Sequence, residues 1–515
     1  MKTAYLLRKI TQLLFLALFV FLISRNRYPL NFPLPTDFFL RIDPLSALSV
    51  MLAGREIIFK FWPAIITIFS AVILGKFFCG WVCPLGTAID ISDRIIKPPY
   101  REKQGKKLHY FKYMLLILIG IGAVFSFQFI FFFDPLVIIT RTTTLTLLPI
   151  TYYLIEGAIS NLAIAPIMGN FFFDIYVSLK GSVFPLQEQA FRQGLPVLFI
   201  FIGIIILEKF SRRFWCRNLC PLGALLGLLG KFSRFGRWVG DKCIDCILCS
   251  HECRMGTIKE DGSSSRAECI LCLSCYFICP EEDIHFSFKK PEPGKSKLDI
   301  TRRRFITASA SGLALMGLYR TSPLNINASE KAIRPPGAVW ENKFLDLCLR
   351  CQQCTSICST TGACLQPAVA EAGLEGLWTP VAVMRQGYCE YNCTLCGEVC
   401  PSGAIKLLSL EVKQNTKMGL AFFDRNRCIP YYREEDCLVC QEHCPTPDKA
   451  IKFKIIQIEK EGESRILKLP YVDEDLCIGC GICETKCPIV GKPGIFVTPA
   501  NADRDSEDNT YGGFY

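Results

Sequence analysis

The sequence predicts an α-helical membrane domain joined to compact α+β modules built around cysteine motifs. Three observations carry that prediction. Membrane-length apolar runs are confined to the first part of the 515-residue chain. Six sets of four cysteines follow, drawn from 29 cysteines in all. A basic stretch, Thr301-Arg302-Arg303-Arg304-Phe305-Ile306, divides the first two sets from the other four and has the form of a twin-arginine export signal.

Composition narrows the class. Half of the residues are hydrophobic (50%), which favours a membrane protein. The formal net charge is +11, and the basic residues flank the apolar runs. That placement reads as membrane topology and gives no nucleic-acid partner. The histidines are His109, His251, His285 and His443, none inside an apolar run, and no Cys-x-x-Cys-His occurs, so haem is not expected. No Gly-x-Gly-x-x-Gly nucleotide fingerprint is present, which disfavours direct nicotinamide or flavin chemistry.

Residues 1–238 form the predicted membrane domain. A helix needs about 20 apolar residues to cross a bilayer. Four spans are expected, over Ala4–Ser24, Phe61–Phe78, Tyr113–Phe133 and Leu195–Leu207 with its flanks. A fifth apolar region, Leu147–Met168, contains Glu156, Asn161 and Pro166 and reads as interfacial or re-entrant. Lys and Arg crowd the links after the second and fourth spans, so both links, and the N-terminus, are expected in the cytoplasm. The domain is duplicated in tandem. Asp43-Pro44-Leu45 is echoed by Asp134-Pro135-Leu136, and Cys79-x3-Cys83-Pro84-Leu85-Gly86 by Cys216-x3-Cys220-Pro221-Leu222-Gly223. Parallel repeats are related by an axis along the membrane normal. That symmetry brings Cys79, Cys83, Cys216 and Cys220 near one another, to hold a further iron–sulfur cluster or to act as thiol pairs. The aspartates read as turn or helix-start elements.

Residues 239–290 carry Cys243, Cys246, Cys249 and Cys253, then Cys269, Cys272, Cys275 and Cys279, both spaced Cys-x2-Cys-x2-Cys-x3-Cys. This is the spacing of a ferredoxin-like module with two [4Fe–4S] clusters, in which the fourth cysteine of each run serves the other cluster. Cys243, Cys246, Cys249 and Cys279 are therefore expected at one cluster, and Cys269, Cys272, Cys275 and Cys253 at the other. Zinc sites more usually show two separated Cys-x2-Cys pairs.

Residues 291–337 read as a linker holding the twin-arginine segment, either a signal or a fifth anchor. Residues 338–499 form a predicted four-cluster domain, and 500–515 a polar tail. The domain's sets are Cys348, Cys351, Cys354, Cys358; Cys389, Cys393, Cys396, Cys400; Cys428, Cys437, Cys440, Cys444; and Cys477, Cys480, Cys483, Cys487. Nested exchange of fourth cysteines is expected, pairing the first set with the last and the second with the third. Cys364 is left over as a bystander. Ile451–Ile458 and Arg465–Leu469 read as a hairpin about Gly462.

In the order of these motifs, residues 1–290 resemble NapH-type membrane ferredoxins: four spans, two Cys-x3-Cys-Pro motifs, two cytoplasmic cluster motifs. Residues 301–499 resemble NapG/MauM-type periplasmic ferredoxins, through the twin arginines, Arg334-Pro335-Pro336-Gly337-Ala338, the four cysteine sets and Lys417-Met418-Gly419-Leu420-Ala421. The resemblance implies a fused quinol dehydrogenase component and electron carrier. It would sit as a multi-pass protein in a bacterial inner membrane, with 239–290 cytoplasmic and 338–515 periplasmic. Its partners would be the quinone pool and a periplasmic reductase or electron carrier. Six [4Fe–4S] clusters are implied, and a seventh if the four membrane-proximal cysteines take one. The alternative is an assembly or redox-sensing protein that uses the Cys-x3-Cys-Pro thiols on a maturing metalloenzyme.

Overall fold

The computed structural model describes residues 2–30, 32–96, 108–128, 130–163, 169–180, 190–259, 262–288, 302–320, 332–369, 371–460 and 463–503. The linker 291–297, the basic segment 97–107, the hairpin turn 461–462 and the tail beyond 503 lie outside them. The chain divides into two compact units. One holds Met1–Arg25, Phe32–Thr146 and Gly194–Ser322; the other holds Asn26–Asn31, Leu147–Gln193 and Pro323–Tyr515.

In the first unit the duplication is reproduced element by element. Helices Lys2–Ser24, Pro44–Gly54, Ala64–Leu74, Phe77–Trp81 and Pro84–Ile96 correspond in order to Phe111–Val124, Pro135–Thr142, Gly194–Ile206, Phe214–Asn218 and Pro221–Gly230. The repeats interlock. Each helix after a Cys-Pro packs on the first helix of its own repeat and on the Asp-Pro helix of the other, as Pro84–Ile96 does on Lys2–Ser24 and Pro135–Thr142. The Asp-Pro helices start where the sequence predicts. Proline at the first helical position loses no needed hydrogen bond. Asp43 accepts from Leu45 N at 3.0 Å, and Asp134 from Leu136 N and Val137 N at 2.8 and 3.0 Å. The two carboxyls are fully buried beside one another. Burial raises both, and Asp43 raises Asp134 further.

Two of the four expected spans are broken by turns, and the fourth is short. Among the described residues one helix, Thr3–Ser24, is long and apolar enough to cross a membrane by itself. The second predicted span stops at Leu74, where Gly75 turns at φ 73°, and resumes at Phe77. The third stops at Val124, with Ser126 at φ 59°, and resumes at Ile130. The fourth is Gly194–Ile206, 13 residues, or about 20 Å of helix. An apolar run reads the same whether one helix fills it or a turn splits it, so the run lengths overstated the helices. The predicted anchor is a helix over Arg302–Arg320, whose Gly312 lies against Leu118 and Ile121 of Phe111–Val124.

The strands Phe235–Val239 and Ile284–Phe288 pair antiparallel, Arg237 opposite Phe286, and close the ends of the 243–279 cysteine region. Buried ion pairs fasten that region to the repeats. Asp90 receives Arg8 at 2.8 Å, Arg213 at 2.8 Å and Arg254 at 2.7 Å. Burial alone would raise the Asp90 carboxyl, but the Arg213 and Arg254 guanidiniums outweigh it and hold it far below the usual range.

The second unit is built on three antiparallel strand pairs, Leu365–Pro367 with Pro380–Ala382, Leu420–Phe423 with Ile495–Thr498, and Ile451–Lys460 with Glu463–Val472. The last pair is the hairpin read from the sequence. Cysteines are part of the core itself. Cys440, Cys444, Cys477 and Cys483 pack with Met384, Leu420, Ile451 and Ile495. In the predicted interfacial region, the helix Leu148–Ala163 packs on Gly169–Leu179, with Glu156 bonded to Tyr176 and Lys180.

Candidate metal centres

Four of the six cysteine sets share one backbone form. In Cys243–Cys249 the residues Asp245 and Ile247 are left-handed; in Cys269–Cys275, Leu271 and Leu273; in Cys348–Cys354, Arg350 and Gln352; in Cys477–Cys483, Gly479 and Gly481. Left-handed Ile, Leu and Arg are costly, so a loop that repeats them is held by something other than local preference. The form turns three successive thiols toward one space.

In the first unit the thiols gather as the spacing predicts. Cys243, Cys246, Cys249 and Cys279 line one cavity, and Cys253 lies with Cys269, Cys272 and Cys275. Each run's fourth cysteine crosses to the other site. Nearby donors point at the sulfurs: Arg237 Nη2 to Cys249 Sγ at 3.4 Å and Thr257 N to Cys253 Sγ at 3.4 Å.

In the second unit the nested exchange is overturned, and neighbours exchange instead. Cys348, Cys351 and Cys354 take Cys400. Cys389, Cys393 and Cys396 take Cys358. Cys428, Cys437 and Cys440 take Cys487. Cys477, Cys480 and Cys483 take Cys444. The reason is local packing. The short helix Gln353–Cys358 packs on Leu395–Glu398, and Val439–Glu442 on Ile482–Lys486. Closing the shorter loop costs less entropy. The four sites form a row, since Cys354 faces Cys396, Cys389 N donates to Cys480 O at 2.8 Å, and Cys483 faces Cys440. Cys364, the predicted bystander, is buried with its Sγ 3.8 Å from Cys358 Sγ.

Cys79, Cys83, Cys216 and Cys220 meet as the repeat symmetry predicts, around a cavity with Gly86, Pro135, Gly223, Met255 and Ile270. Cys220 caps the helix Pro221–Gly230, with Gly223 N donating to its Sγ at 3.2 Å. That bond favours the thiolate, but burial and then Cys216 and Cys79 outweigh it and push the Cys220 thiol well up. Gly80 brings this site against its neighbour: a Cβ there would lie 2.1 Å from Ile270 O, between two predicted ligands. Trp81 Nε1 donates to Leu271 O at 3.1 Å, and Arg8 Nη1 to Cys272 O at 3.2 Å. The first unit thus holds three sites in succession.

All seven sites fit an iron–sulfur cluster by their donors. Burial pushes Cys216 and Cys269 up to about 12, Cys79 adding to it at Cys216 and Cys272 at Cys269. Four anions packed so closely need a cationic group among them, which iron supplies.

The sequence reading missed the charges around the four-thiol site. Lys76 lines it and pairs with Glu268 at 2.7 Å. Lys112 joins the same carboxylate at 2.5 Å, and Tyr113 OH donates to it at 2.6 Å. One signal was available: aligned on the duplication, Lys76 and Arg213 both stand three residues before the first cysteine of their motif.

These features define a class, the proteins that bind [4Fe–4S] clusters through cysteine. A family described as a 4Fe-4S binding domain matches residues 58–105 and 193–238, which contain the two Cys-x3-Cys-Pro motifs, and a second of the same description matches 470–490. The chain is 36% identical over 204 residues to the ferredoxin-type protein NapG of Escherichia coli K12, covering 38% of this chain and 85% of NapG. It is 34% identical over 192 residues to the methylamine utilization ferredoxin-type protein MauM of Methylorubrum extorquens, 37% of this chain and 81% of MauM. An uncharacterized protein of Methanocaldococcus jannaschii is 27% identical over 291 residues, 55% of this chain and 95% of the relative. No solved structure matches. The chain belongs to the NapG/MauM family of ferredoxin-type proteins and is an iron–sulfur electron-transfer protein.

Proposed function

We propose that this protein oxidises quinol at a membrane and passes the electrons through [4Fe–4S] clusters to a periplasmic reductase or carrier. The observation that carries the reading is the arrangement of four-cysteine sites, three in succession in one unit and four in a row in the other. Such rows suit one-electron transfer between like centres. Six clusters would be held by the 24 cysteines of the predicted sets, and a seventh by Cys79, Cys83, Cys216 and Cys220. Iron supplies the one-electron chemistry; the chain buries it, spaces it and aims N–H groups at its sulfurs. The apolar helices of the repeats, with Thr3–Ser24 the longest, support a multi-pass membrane location, and Arg302–Arg303 support export of the second unit.

Purified protein mixed with a menaquinol analogue tests this. Rapid reduction of clusters, followed by EPR, is the expected result. Clusters that stay oxidised with every quinol tried would reject quinol oxidation and leave the assembly role. A C-terminal topology reporter, with and without Arg302→Lys/Arg303→Lys, tests export. The reporter should read outside in the parent and inside in the variant.

A further inference from the structure

We infer that Lys76 is a potential-setting residue of the four-thiol site, and that its ion pair with Glu268 ties that potential to the neighbouring Cys253–Cys269–Cys272–Cys275 site. The inference rests on the reading that the four thiols hold a cluster.

Lys76 lines the four-thiol cavity and is 1% exposed. It shares Glu268 with Lys112, itself fully buried. Among the described residues, two ammoniums meet one carboxylate here, an excess of one positive charge. A buried charge is costly unless an opposite charge meets it. Tyr113 offers Glu268 a hydroxyl and no charge. The group positioned to balance the excess is an anion in the cavity that Lys76 faces. A cluster held by four thiolates is anionic and gains one negative charge on reduction. A cation beside it therefore favours the reduced form and raises its potential.

The duplication supplies independent support. Arg213, at the position equivalent to Lys76, is also buried. It donates to Cys79 O at 3.1 Å and pairs with Asp90. Each copy of the motif thus brings its own buried cation to the thiols, and each cation is anchored by an acid from elsewhere in the unit. Glu268 has a second connection, as the residue before Cys269. The carboxylate that offsets Lys76 therefore also borders the next site, so an electron on either site is felt through the same ion pair.

Two substitutions should move one potential in opposite directions. Lys76→Met keeps length and burial and removes the charge. In an EPR-monitored redox titration of the full-length protein it should lower the midpoint of the four-thiol cluster. Glu268→Gln removes the negative charge beside Lys76 and should raise it. The clusters of the second unit serve as internal references and should not move. Full iron content with every midpoint unchanged in both variants would overturn the inference, as would shifts of the same sign. If Lys76→Met loads no iron at the site, Glu268→Gln decides alone by the sign of its shift. The underlying reading fails differently: Cys79→Ala/Cys220→Ala would then hold as much iron as the parent.

Discussion

The 243–279 region and the 348–487 region solve the same problem with different loops. In the first, both runs are Cys-x2-Cys-x2-Cys, and both carry two left-handed residues, all with side chains. In the second, each exchanging pair joins one such loop to one with a longer first gap. The longer-gap sets, Cys389–Cys396 and Cys428–Cys440, have no left-handed residue in their Cys-x2-Cys step. The difference teaches that the strain belongs to the doubled loop: where two Cys-x2-Cys steps follow one another each carries a left-handed residue, whereas a single such step after a longer gap carries none. The crossing of the fourth cysteine to the adjacent set is common to both regions and does not depend on loop type.

The largest test of that comparison breaks the exchange. Cys400→Ala and Cys348→Ala should each remove one cluster, about four irons, and the double variant should remove no more than either single. Nested pairing would make the losses additive, so iron and acid-labile sulfide analysis decides between them. Next in size is Gly479→Ala. Its φ is 69°, and a Cβ would lie 2.5 Å from Gly419 O. A cost of about 2–3 kcal/mol is expected, read as a lowered unfolding midpoint of the loaded protein. Thr394→Ala, in the Cys-x2-Cys step of a longer-gap loop, should cost less than half as much. Asp245→Gly relieves a left-handed aspartate at φ 51° and should stabilise its loop by about 0.5–1 kcal/mol, whereas Thr394→Gly should destabilise. The smallest effect belongs to Cys364→Ala. Iron content should stay at the parent value, and one midpoint should fall, because the thiol that bonds to Cys358 sulfur would be gone.

Spacing made the ligands legible, and in the two-set region it also made the exchange legible, because each run had a single partner. With four sets, local spacing is silent about pairing; the packing of Gln353–Cys358 on Leu395–Glu398 decides it. The duplication was readable from Asp-Pro-Leu and Cys-x3-Cys-Pro because both motifs start helices. The breaks at Gly75 and Ser126 were not, since apolar residues lie on both sides of each. The pair of Lys76 with Glu268 joins residues far apart in sequence, and no local pattern announces it.

Neighbour exchange has a consequence for the order in which the domain is made. The first two sites are complete in sequence at Cys400, before the chain reaches Cys428. A ribosome releasing the chain from its N-terminus therefore delivers a finished pair of ligand sets while the second pair is still unmade. Under a nested arrangement the first set would have waited for Cys487, its thiols open to iron, oxidation and wrong partners throughout. The domain is arranged so that each pair can be loaded as it emerges, and a chain cut short after Cys400 would still own two whole sites.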